Sequence, residues 1–128
     1  MKKTQATIFF SILAVLIVGA IFTFMTRGSS VSKGKYTAFA TCIKDSGATF
    51  YGAFWCTHCN AQKKLFGDAA GLLPYVECSS PDGSEQLQIC KDKNIEGYPT
   101  WVFADGSRQS GEVPLATLAE KTSCSLPQ

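Results

Sequence analysis

The chain has 128 residues, 45% of them hydrophobic and 17% charged, and a formal net charge of +2 that Lys2 and Lys3 account for. A chain of this length holds one small domain. Charge is balanced beyond the N-terminus and no basic stripe is interleaved with aromatics, which argues against a nucleic-acid partner.

Residues 4–26 carry no charge, and 8–25 are almost wholly apolar, interrupted by Ser11, Gly19 and Thr23. As a helix they would extend about 34 Å, enough for the roughly 30 Å of bilayer hydrocarbon. The expectation is one N-terminal transmembrane helix, an uncleaved anchor. Lys2, Lys3 and the terminal amine favour a cytoplasmic N-terminus; Arg27, Lys33 and Lys35 weaken that bias. Six cysteines (Cys42, Cys56, Cys59, Cys78, Cys90 and Cys124) all follow the apolar run. An even, high count in a small domain points to an oxidising compartment, so the expected arrangement is N-inside with an extracytoplasmic domain, periplasmic or at the cell surface. A cleaved signal peptide is the alternative, although Val18-Gly19-Ala20 is a poor cleavage site and the apolar run continues past it.

Residues 27–35, rich in Gly and Ser, read as a linker, and 36–124 as the domain. Residues 36–45 should form a helix with Phe39, Ile43 and Cys42 inward, closed by Gly47. Residues 49–55 suit a buried strand, 57–71 a helix and 74–77 a second strand. The cluster 79–83 reads as a turn, and Ser84 as the cap of a helix reaching Lys93. Residues 100–104 form a third strand, Asp105-Gly106 a hairpin turn and the region of Arg108 a fourth strand. Pro114 opens a last helix to Lys121. The fold class is therefore α/β, with a mixed four-stranded sheet flanked by helices.

The chemistry centres on Phe54-Trp55-Cys56-Thr57-His58-Cys59, a C-x-x-C where a strand gives way to a helix. Free N–H groups and the helix dipole stabilise an anion at that first turn, which makes the Cys56 thiolate the expected exposed nucleophile. Cys59, on the same helix face, can attack a mixed disulfide on Cys56 and release the partner. His58 between them would add positive charge, tune the thiolate and make the disulfide more oxidising. Two other C-x-x-C chemistries fit less well. A c-type haem site needs His where Asn60 stands, and a zinc site would need Cys78 and Cys90 as further ligands without a second C-x-x-C. No metal or cofactor is called for.

Trp55-Cys-x-x-Cys, followed some forty residues on by Gly97-Tyr98-Pro99-Thr100, resembles the thioredoxin superfamily. That resemblance implies a thioredoxin-like fold, a cis Pro99, and a substrate groove lined by Trp55, Tyr98 and Pro99. Residues 51–56, Leu65-Phe66-Gly67, Tyr75-Val76-Glu77-Cys78, Cys90 and 97–101 further resemble the thioredoxin-like domain often fused to bacterial homologues of vitamin K epoxide reductase. They imply a membrane redox partner of that type. The single apolar segment does not amount to the reductase's four-helix bundle. Two positions depart from the pattern. Thr57 stands where the subgroup has Pro, and Phe50 where many thioredoxins carry a buried acid, with Glu77 a weak substitute.

Pairing Cys56 with Cys59 leaves three ways to connect the other four. In a thioredoxin fold the ends of the first and last helices meet away from the active site, which implies Cys42–Cys124 and Cys78–Cys90 as structural bridges. The leading function is a protein thiol–disulfide oxidoreductase acting on protein cysteines, oxidase- or isomerase-like. The alternative is a non-catalytic module of the same fold that binds peptides or a membrane partner.

Overall fold

The computed structural model describes residues 34–128 together with Leu16 and Ile17, both helical. The expected membrane helix over 4–26 otherwise lies outside the described residues, as does most of the linker. Among the described residues no helix is long and apolar enough to cross a membrane. The chain divides into two units between Ser32 and Lys33.

In the second unit the first helix, α1 (Thr37–Asp45), buries Phe39, Ala40 and Ile43 on one face. It stops where Ser46 and Gly47 turn their N–H groups back onto Cys42 and Lys44. Gly47 takes the left-handed conformation (φ 84°) that such a stop favours. Strand β1 (Thr49–Gly52) follows, then α2 (Thr57–Lys64), a 3-10 turn (Gly67–Leu72), β2 (Tyr75–Glu77), the single-turn α3 (Gln88–Lys91), β3 (Thr100–Val102), β4 (Arg108–Ser110) and α4 (Leu115–Thr122). The sheet order is β2-β1-β3-β4. β1 runs parallel to β2 and antiparallel to β3, which forms a hairpin with β4. The expected mixed four-stranded sheet and element order are present.

Side chains alternate across this sheet as strand geometry requires. Phe50 and Trp101 face one side, stacked at 4.8 Å and both fully buried. They meet Phe39 and Leu118 from the helices and Phe66 from the turn after α2, and form the larger core. Tyr51 faces the other side, over the Cys78–Cys90 pair and Ile95.

Three element ends differ from the sequence reading, each for a tertiary reason. β1 ends at Gly52 rather than running on to residue 55. The Phe54 N–H is taken by the Glu77 carboxylate at 3.2 Å and its carbonyl by Asn60. A turn closed by Cys56 N–H to Ala53 leaves Phe54 and Trp55 at its tip, 49% and 53% exposed. The helix expected over 57–71 ends at Lys64, and a separate 3-10 turn starts at Gly67, whose positive φ of 53° redirects the chain. That break keeps Phe66 buried against Phe39, ring on ring at 5.8 Å. Finally, Ser84 caps no helix: Asp82 accepts from its N–H and hydroxyl within the loop, and α3 starts only after Leu87.

Candidate active site

Cys56 is the N-cap residue of α2. Its sulfur accepts the N–H of Cys59 at 3.3 Å, so the first turn of the helix closes onto the sulfur itself. The two thiols are unlinked and adjacent. Their surroundings differ in degree. Cys59 is fully enclosed, and Cys56 is 7% exposed. Cys56, expected as the exposed nucleophile, is thus nearly buried, while Cys59 is the less accessible of the two as expected. The segment before β3 lies over it, with the Tyr98 carbonyl 3.7 Å from its sulfur. Burial, and after it the hydrogen bond with Cys56, pushes the Cys59 thiol up to about 12.

The covering segment contains the expected cis peptide between Tyr98 and Pro99. Pro99 is itself buried, so of the two only the half-buried Tyr98 offers side-chain surface. Tyr98 meets the Trp55 ring edge-on at 6.0 Å, and Trp55 is anchored by its indole N–H to the Ser79 hydroxyl at 2.8 Å. Trp55, Cys56 and Tyr98 therefore come together as the resemblance implied.

His58 is placed differently from the expectation. It is 69% exposed, and its Nδ1 lies 2.7 Å from a Glu112 carboxylate oxygen. A carboxylate partner offsets part of the charge a protonated imidazole would offer the thiolates, so tuning by His58 has to be considered together with Glu112. Gln62, fully buried one turn beyond Cys59, explains how Glu112 arrives there. Its amide donates to the Val113 carbonyl at 3.0 Å and accepts the Val113 N–H at 2.6 Å. Sequence reasoning missed both residues. A Gln on the inner face of the C-x-x-C helix was the one available signal.

Beneath the pair, Gly52 leaves no room for a side chain. A Cβ there would sit 2.8 Å from the Tyr75 ring and 2.9 Å from the Cys59 sulfur. The Tyr75 hydroxyl donates to Glu77 at 2.8 Å, and Glu77 also accepts the N–H of Ser79. Glu77, a weak substitute acid on the sequence, is thus a bonded hub.

Away from the pair, the structure joins Cys42 to Cys124 and Cys78 to Cys90. The second bridge removes the two sulfurs a zinc site would have needed.

The thioredoxin family profile matches residues 31–122. Thiol-disulfide oxidoreductase LTO1 of Arabidopsis thaliana is 48% identical over 110 residues, covering 82% of this chain and 29% of that protein. A protein disulfide-isomerase of Arthroderma benhamiae is 34% identical over 80 residues, 59% of this chain and 15% of its own. A thioredoxin domain-containing protein 5 homolog of Drosophila melanogaster is 32% identical over 71 residues, 50% and 17% respectively. The chain spans less than a third of the length of each of these relatives.

Proposed function

The chain belongs to the thioredoxin family, and from that premise we propose that it is a protein thiol–disulfide oxidoreductase working through Cys56 and Cys59. One observation carries the reading: two unlinked, adjacent sulfurs at a helix N-terminus, one of them facing the carbonyl of a cis-proline segment. The names of two of these relatives, an oxidoreductase and an isomerase, support the same chemistry.

In the reducing direction, the Cys56 sulfur attacks a substrate disulfide. One S–S bond breaks as Cys56 bonds to substrate, and a substrate thiolate leaves. Cys59 then attacks the Cys56 sulfur, forming the Cys56–Cys59 disulfide and releasing the second substrate thiol. Two electrons pass to the substrate, and the reverse sequence oxidises it. A substrate strand lies against Tyr98, with Trp55 beside it. His58 and an oxidising surrounding favour the oxidase or isomerase direction, with the domain held outside the cytoplasm by the apolar segment 4–26. The likeness of residues 51–56, 75–78 and 97–101 to domains that accompany vitamin K epoxide reductase homologues extends the reading to a membrane redox partner of that type.

Trapping tests the roles. Cys59→Ala should accumulate mixed disulfides with protein thiols, because the resolving attack is lost, and Cys56→Ala should accumulate far fewer. Equal trapping by the two variants would reverse or void the assignment. No exchange with any dithiol protein would leave a peptide-binding module of the same fold.

A further inference from the structure

Trp55 and Tyr98 lie beside Cys56, and each ring carries a polar atom that needs a partner once it is partly buried. The loop that joins β2 to α3 supplies both partners. At its start the Ser79 hydroxyl accepts the Trp55 indole N–H at 2.8 Å, and Ser79 itself is buried. Near its end the Gln86 amide donates to the Tyr98 hydroxyl at 2.9 Å and to the Ile95 carbonyl at 2.7 Å. Gln86 therefore ties Tyr98 to the stretch of chain that leads into the cis peptide. At the tip of the loop Gly83 lies against the indole, where a Cβ would sit 3.5 Å from Cδ1 of Trp55.

The loop is braced from within. Ser79 and Gln86 face each other as an antiparallel pair. The Ser80 N–H donates to the Glu85 carbonyl at 2.8 Å, and the Leu87 N–H to the Cys78 carbonyl at 2.7 Å. The Cys78–Cys90 bridge closes the base across a separation of 12 residues. Both tethers thus start from a fixed frame. A ring held by its polar atom keeps its orientation before a substrate arrives, so less ordering remains to be done on binding.

We propose that Ser79 and Gln86 are positioning residues that hold Trp55 and Tyr98 as the walls of the peptide groove, and that this bridged loop gives the site its preference for extended polypeptide thiols over compact ones. The inference rests on the exchange chemistry proposed above. Ser79 and Gln86 take no part in the sulfur exchange and act through the two rings. A compact dithiol reaches Cys56 without lying along either ring, so the tethers add nothing to its binding. An extended peptide lies against both rings and loses affinity when either turns away.

The oxidised full chain is mixed with a short unstructured peptide carrying two cysteines, or with dithiothreitol, and quenched in acid at intervals. The state of the Cys56–Cys59 pair is read by mass. With either dithiol, one thiolate bonds to the Cys56 sulfur as the Cys56–Cys59 bond breaks, and the second thiol then displaces Cys56. Two electrons pass to the pair, and the dithiol is left as a disulfide. Rates over a range of peptide concentrations give the half-saturating concentration and the limiting rate. Ser79→Ala and Gln86→Ala should each raise the half-saturating concentration about twofold to tenfold, the scale of one hydrogen bond, with the limiting rate kept. The preference for the peptide over dithiothreitol should fall by the same factor. Ser79→Thr, which keeps the hydroxyl, should restore the wild-type value. Gln86→Ala should add little to Tyr98→Phe, because the two changes remove the same bond. A wild-type half-saturating concentration in either alanine variant overturns the proposal, and so does an equal loss of rate with the peptide and with dithiothreitol. If the oxidised wild type exchanges with neither dithiol, the exchange chemistry itself falls and the positioning roles with it.

Discussion

Cys56 and Cys59 are the same chemical group three residues apart, and their environments separate them. Cys56 accepts an N–H at the open end of a helix, whereas Cys59 is enclosed and held at about 12 against an ordinary value of 9.0. A thiol whose folded value is raised keeps its proton where the unfolded chain has lost one. Its stabilising contribution is therefore complete below about pH 9 and declines as pH rises toward about 12. The stability of the reduced protein relative to reduced Cys59→Ala should shrink across that window. Thermal melts of both in excess reductant from neutral to alkaline pH would show it. A difference that stays constant with pH would mean that Cys59 is not held protonated.

Between strand and helix, one position governs how the elements meet. Gly52 ends β1 where α2, the Tyr75 ring and the Cys59 sulfur converge. Gly52→Ala would place a methyl in contacts under 3.0 Å with both the Tyr75 ring and the Cys59 sulfur. Overpacking of this kind costs about 1–3 kcal/mol. The expected outcome is a lowered denaturation midpoint together with altered reactivity of Cys59, and an unchanged midpoint would show that the strand end yields. The order of elements was legible because apolar periodicity, glycines and the Asp105-Gly106 turn are local signals. The ends were not. Glu77 stops β1 from 23 residues away in sequence, and Asp82 diverts Ser84 from capping. The placement of Cys56 and Cys59 at a helix N-terminus was likewise legible in a compact motif, and the cis Pro99 was implied by the family resemblance that motif carries. His58 with Glu112, and Gln62 with Val113, join residues 54 and 51 positions apart, and no local pattern announces such pairs.

For the whole molecule, the proposed arrangement places the domain outside the cytoplasm on an uncleaved anchor. A membrane-impermeant maleimide should then label reduced Cys56, the less enclosed of the two thiols, on intact cells, and the labelled chain should retain its first residues. Labelling only after permeabilisation, or a released form starting near Ile21, would sink that arrangement. One further consequence follows from the Cys42–Cys124 bridge, which joins residues 82 positions apart near the two ends of the domain. Covalently the domain is a ring, with Cys56, Cys59 and the Cys78–Cys90 bridge all inside it. A single backbone cut within the ring opens it without releasing a fragment. A pull exerted through the segment before Cys42 reaches the ring at one sulfur bridge, beside Cys124 and the end of α4. The load therefore divides between two covalent arms, and neither can be drawn out to its full length while the bridge is intact.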